Sequence, residues 1–247
     1  MTQSFENKMR ASAEAFGIEL DESKLEQLYT YYEMLVEKNK VMNLTGITEE
    51  GEVVTKHFAD SLSIAKAIDL EEMRKSISEP KLIDVGTGAG FPGLVLKIVY
   101  PWLNVTLFDS LNKRLVFLNE VIDKLSLENV TTVHGRAEDF GHDPKFREQY
   151  DIVVSRAVAN MSTLLEYCLP FVNNTGIFAA YKSVETDEEL KNAEGALNKL
   201  GGKITGKVQF TLPETDMVRC IVIVGRNKPT PKKYPRKAGM PSSDPLK

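Results

Sequence analysis

Cysteine, histidine and tryptophan are scarce in this chain, at two, three and one among 247 residues. Two cysteines cannot build a disulfide framework. Cys168 falls in a helical pattern and Cys220 in a strand pattern, so both read as buried thiols of a reducing cytosol. His57, His134 and His142 are scattered, no group has zinc spacing, and no metal is expected. Long apolar runs are missing as well: nothing approaches the roughly 18 residues of a membrane span. The opening residues Met1-Thr2-Gln3-Ser4-Phe5 lack the apolar core of a signal peptide, so a cytoplasmic protein without membrane contact is expected. An excess of positive charge is also absent, the net value being −4. Its distribution is uneven, however. From Arg226 to Lys247 seven basic residues face one acid, Asp244, giving +6 and leaving −10 for the rest. An acidic body with a basic tail suggests contact with a polyanion at one place, the alternative being a solvated tail with no partner.

What is present is a glycine-rich stretch between a strand pattern and a helix pattern. Leu82-Ile83-Asp84-Val85 leads into Gly86-Thr87-Gly88-Ala89-Gly90-Phe91-Pro92-Gly93, and Leu94, Val95, Ile98 and Val99 follow at helical spacing. Glycine tolerates positive φ and carries no Cβ, so such a turn lets a ligand approach the backbone. Gly88-x-Gly90-x-x-Gly93 with Asp109 about 20 residues on fits the dinucleotide fingerprint, which keeps NAD open. The turn already begins at Gly86, though, with Asp84 two residues ahead. A carboxylate there can fix the turn amides near the ammonium of S-adenosylmethionine (SAM), whereas a pyrophosphate would gain nothing from it. SAM is the favoured cofactor.

Residues 1–75 read as a helical extension. A first helix spans Phe5 to Phe16, and a second starts at a Ser23-x-x-Glu26 capping box with Leu25, Leu28, Tyr29, Tyr32, Leu35 and Val36 as its apolar stripe. Thr48 can cap a third, in which His57 and Ser61, like Lys56 and Asp60, stand four apart; pattern alone favours an exposed, salt-bridged face. Residues 76–226 alternate strand and helix, with strands over Leu82–Val85, Val105–Phe108, Val130–His134, Asp151–Ser155, Gly176–Tyr181, Ile204–Phe210 and Arg219–Val224. No helix separates the last two, which should form an antiparallel edge hairpin. The expectation is an α/β fold, a Rossmann-like doubly wound sheet of the class I SAM-dependent methyltransferase type. Residues 227–247, rich in proline and basic residues, should lack regular structure.

Ligands of such sheets bind beyond the carboxyl ends of the strands. Asp109 would accept the ribose hydroxyls of SAM, Ala137 and Glu138 would flank the adenine, and Phe91 would cover the cofactor beside Gly86 and Gly88. Each carboxylate has a plainer reading as a helix cap. No cysteine stands at a strand end for attack on a pyrimidine, and the fourth strand lacks the Asn/Asp-Pro-Pro-aromatic tetrad of amine methylation. Arg136, Arg156 and Lys182 would form a cationic cluster facing the pocket. Guanine N7 has a free lone pair and no proton to remove, so its methylation needs alignment and donors but no general base. An acidic small molecule would suit the same cluster.

Six blocks then occur in one order: Asn43–Ile47, Lys56–Leu62, Asp84–Gly93, Asp109–Arg114, Ser155-Arg156-Ala157-Val158-Ala159 and Tyr234–Gly239. In these the chain resembles the RsmG (glucose-inhibited division protein B) family. The resemblance implies a SAM-dependent enzyme that methylates N7 of a guanine in the 530 loop of bacterial 16S ribosomal RNA. It implies SAM contacts at Gly86, Phe91, Ala137, Glu138 and Arg156, and an RNA pocket framed by Asn43, His57 and Asp60. The small ribosomal subunit is the expected partner of a monomeric enzyme. A small-molecule methyltransferase of the same fold and a non-catalytic RNA-binding module remain the alternatives.

Overall fold

Apolar residues alternate between the two faces of one seven-stranded sheet, and that alternation divides the core in two. The computed structural model describes residues 1–156, 159–183 and 187–247, so Ala157 and Val158 of the fifth block lie outside it. The strands are β1 (Lys81–Val85), β2 (Asn104–Asp109), β3 (Val130–His134), β4 (Tyr150–Arg156), β5 (Val172–Lys182), β6 (Gly202–Thr211) and β7 (Val218–Arg226). Their spatial order is β3-β2-β1-β4-β5-β7-β6. The first five run parallel, while β7 is antiparallel to β5 and to β6, which is the expected edge hairpin. The inner strands are buried on both faces and therefore apolar at successive positions, as at Ile152-Val153-Val154, whereas edge strand β6 alternates half-buried with exposed.

The helices, in chain order, are α1 (Gln3–Glu14), α2 (Glu22–Met42), α3 (Glu50–Val53), α4 (Asp60–Leu62), α5 (Leu70–Ser76), α6 (Gly93–Val99), α7 (Asn112–Lys124), α8 (Ala137–Phe140), α9 (Met161–Cys168), α10 (Asp187–Asn192), α11 (Glu194–Leu200) and α12 (Met240–Ser243). On one face Leu82, Leu107, Val154 and Ile221 pack with α1, α2, α6 and α7; on the other Ile83, Phe108, Val153 and Val222 pack with α9 and α11. The N-terminal helices thus share a core with the sheet.

Local details differ from the sequence reading. Asp21, not Ser23, caps α2, its carboxylate accepting from Lys24 N at 2.8 Å. The buried stripe of α2 is Leu25, Leu28, Tyr31 and Leu35, with Tyr29 and Tyr32 half-buried against Phe5. Glu49, not Thr48, caps α3, accepting from Gly51 N and Glu52 N. Between α3 and α4, Val54–Ala59 is a π-helical turn, a form common at functional sites. The expected exposed face there is absent: His57, Asp60 and Ser61 are buried, and Lys56 pairs with Glu52 instead of Asp60.

The C-terminal segment is no free arm. Thr230, Tyr234 and Leu246 are buried, and α12 is its single helical piece among the described residues. Prolines deny the segment a regular ladder, so side chains of the body take its backbone groups. Arg147 donates to the carbonyls of Thr230 (2.6 Å) and Tyr234 (2.9 Å). Arg236 forks onto the fully buried carboxylate of Glu166 at 2.8 and 2.9 Å.

Candidate active site

The turn after β1 is held by two carboxylates. Asp84 Oδ2 accepts from Gly93 N at 2.8 Å, and Asp109 Oδ2 accepts from Gly88 N at 2.9 Å. Two of its glycines are required for different reasons. A Cβ on Gly90 (φ +105°) would lie 2.9 Å from Leu118 and against the hydroxyl of Tyr31, which donates to Ala89 O. At Gly88 (φ +61°), which lines the cleft, a Cβ would meet only Gly86 O, at 4.0 Å. Asp84 is wholly buried, and burial pushes its carboxyl up to about 6 against the pull of the Gly93 amide. Its Oδ1 and the Thr87 hydroxyl have no partner in hydrogen-bond geometry, although that hydroxyl lies near enough to favour the ionised form. A carboxylate with an unanswered oxygen beneath an open glycine turn suits a cationic ligand.

The opposite wall comes from the π-turn. The His57 ring stacks on Phe91, centroids 4.5 Å apart at 16°, and the Arg156 guanidinium lies over the same phenyl ring at 5.2 Å. Arg156 donates to Asp60 Oδ2 (2.8 Å), to Lys56 O (2.9 Å) and toward His57 Nδ1 (3.3 Å). Nδ1 thus stands between Arg156 Nη2, which can only donate, and Lys56 O at 3.1 Å, which can only accept, while Nε2 lies 2.8 Å from Thr45 Oγ1. Burial, and then the charge of Arg156, push His57 down to about 4. The other oxygen of Asp60 accepts from Arg219 Nε at 3.1 Å, so one buried carboxylate ties the N-terminal extension to β4 and β7. Tyr181 on β5 is buried and donates to Ser61 O at 2.8 Å.

These walls enclose a cleft of about 780 Å³ at the carboxyl ends of the parallel strands. That size falls within the range of small-molecule sites, and the residues present fit a nucleoside carrying a positive charge. Gly86, Gly88, Phe91, Asp109, Arg156 and Lys182 all line it. Asp109 also accepts from Leu111 N (2.8 Å) and Arg114 Nη1 (3.2 Å), which leaves one lone-pair position on Oδ1. Ala137 and Glu138 do not line the cleft. They open α8 beyond β3, and Glu138 Oε1 accepts from Gly239 N at 2.8 Å. Arg136 is a correction: it precedes α8 as an exposed residue outside the cleft, so the expected cluster of three cations is reduced to Arg156 and Lys182. Lys182 is itself paired with Glu189 at 2.7 Å. Asn43 caps α2 in the left-handed region (φ 46°) and is exposed, outside the described lining but next to Leu44 and Thr45, which belong to it. Tyr181 stands at the strand end where the sequence places the site, but sequence reasoning missed Tyr31 and Arg219. Only Tyr31 carried a local signal, standing three residues from Leu28 and four from Leu35.

Among the described residues no three His, Cys, Asp or Glu side chains could hold a metal ion together, and no helix is long and apolar enough to cross a membrane. A crystal structure of MtNAS in complex with MTA and tNA shares the fold, with TM-score 0.50 and 14% identity over 81% of this chain and 72% of that one. A ribosomal RNA small subunit methyltransferase G from Lachnoclostridium phytofermentans is 52% identical over 232 residues, 94% of this chain and 93% of that protein. Another from Alkaliphilus metalliredigens is 48% identical over 244 residues, 98% of this chain and the whole of that protein. The family model for GidB, rRNA small subunit methyltransferase G, matches residues 24–216, and the chain belongs to that family.

Proposed function

We propose that the protein is a SAM-dependent methyltransferase acting on N7 of a guanine in the 530 loop of 16S ribosomal RNA. The observation that carries the reading is a cleft rich in cations but without a poised base. Lys56, Arg114, Arg156, Lys182 and Arg219 line it against Asp60, Asp109 and Glu189. Each of those three carboxylates already accepts from a cation, and His57, the one histidine of the described lining, is too weak a base near neutral pH. Transfer to N7 needs none.

When bound, SAM supplies a methyl group on a sulfonium; the N7 lone pair forms the new bond as the carbon–sulfur bond breaks, and no proton leaves. Gly86 and Gly88 let the nucleoside meet the backbone, and the remaining position on Asp109 accepts a ribose hydroxyl. Phe91, pinned by His57, covers it, and Ala137 and Glu138 flank its adenine from beyond β3. Arg156 and Lys182 frame the acceptor. Residues 1–75 complete the substrate wall, 76–226 hold the cofactor and 227–247 brace the far face of a monomer.

Tritiated SAM should label 16S RNA in undermethylated 30S particles; no label there, with the protein folded and binding SAM, would count against the reading. Gly88→Ala should weaken SAM by about tenfold or more, ~1.4 kcal/mol, because the new methyl enters the cleft. Left-handed strain should cost the fold only about 1 kcal/mol. Calorimetry and a melting curve on one sample separate the two effects.

A further inference from the structure

Each of the five cations lining the cleft has a carboxylate partner, but they stand at different places in it. Lys56 pairs with Glu52, Arg114 with Asp109, and Lys182 with Glu189 and the Ala159 carbonyl. Arg156 donates to Asp60, Lys56 O and His57, and its side chain is 14% exposed. Arg219 differs. Its Nε is held by Asp60 and its Nη1 by Val218 O at 3.1 Å, but Nη2 meets only the Met217 sulfur at 3.9 Å, a weak acceptor. That side chain is 26% exposed, and Leu44, Ile47 and Phe210 line the cleft with it. One carboxylate between two guanidinium groups also leaves a net positive charge.

We infer that Arg219 is the positioning residue for the RNA, donating Nη2 to a phosphate of the target nucleotide while Asp60 fixes its fork. The inference rests on the reading above that RNA is the substrate. A guanidinium on the acceptor edge of guanine would take O6 and N7 together, and N7 must keep its lone pair for the methyl group. A phosphate has no such conflict and suits a planar, permanently charged donor. Asp60 in turn holds Arg156 over Phe91, so the same carboxylate sets the distance between the phosphate donor and the cofactor side.

The test compares Arg219→Gln and Arg219→Lys with the wild type on undermethylated 30S particles and on 16S RNA. Asp60 keeps Arg156 in both variants, so the fold and SAM affinity should hold, the latter within about twofold. Arg219→Gln should lower kcat/KM by about tenfold or more, mainly through KM, and flatten the salt slope of RNA binding by about 0.7. Arg219→Lys, which keeps the charge, should retain the slope. Unchanged transfer by Arg219→Gln overturns the inference. So does reduced transfer with an unchanged slope, which would put the side chain on the base, or joint loss of melting temperature and SAM binding in both variants, which would make it structural. A wild type that binds SAM but labels no RNA removes the underlying reading and this inference with it, whereas a wild type that labels RNA isolates the arginine.

Discussion

Asp60→Ala is expected to lower stability by about 2–3 kcal/mol and methyl transfer by about a hundredfold or more. The carboxylate is buried and is the shared partner of Arg156 at 2.8 Å and Arg219 at 3.1 Å. Removing it leaves two guanidinium groups facing each other without their anion, and a broken buried pair costs up to about 5 kcal/mol when both partners are fully desolvated. The lower figure applies here because Arg219 keeps some contact with solvent. At this chain length the melting temperature should fall by roughly 5–10 °C. Activity should suffer beyond the loss of folded protein, because Arg156 over Phe91 and the His57 ring lose their common anchor. A melting curve within about a degree of the wild type, or full turnover by the folded fraction, would sink the assignment. Truncating Arg156 is a less selective change than pocket exposure suggests, since the same network loses a member.

The second large effect is one of pH. His57 is held neutral, its folded value near 4 lying below the 6.5 of an exposed imidazole. A group lowered in this way binds its proton more readily when the chain is unfolded. Its contribution is therefore complete above pH 6.5 and is lost as the pH falls toward 4, an amount of about 3 kcal/mol at 1.36 kcal/mol per unit. Protonation would also set a second cation against Arg156, 3.3 Å away. Urea unfolding at pH 7 and pH 4 should show the wild type losing this much more than His57→Gln. Equal losses in the two proteins would show that the histidine is not held neutral. Asp84 acts in the opposite sense: raised to about 6, its carboxyl favours the fold at low pH and withdraws that support as pH rises from 4 to 6. The His57→Gln comparison removes it from the difference.

The folded C-terminal segment changes what a deletion can test. Cutting 227–247 would strip Tyr234 and Leu246 from the core and leave Glu166 buried without Arg236. Such a truncation reports on the fold before it reports on RNA.

The sequence by itself determined the strands, the glycine turn and the reversed edge hairpin. Those rest on local signals: short apolar runs bounded by turn residues, glycines at 86, 88 and 90 where the backbone takes left-handed φ, and the missing crossover helix before Arg219. It also placed Gly86, Gly88, Phe91 and Asp109 together, because the ends of parallel strands converge. Only the tertiary structure decided the substrate wall and the tail. Helical spacing put His57 and Ser61 on one face but could not say what covers that face, and the sheet does. Arg219 meets Asp60 across 159 residues of chain, a separation no local pattern spans. The proline-rich tail carries no periodicity, so its burial depends on distant partners, Arg147 and Glu166, whose own spacing gives no sign of the contact.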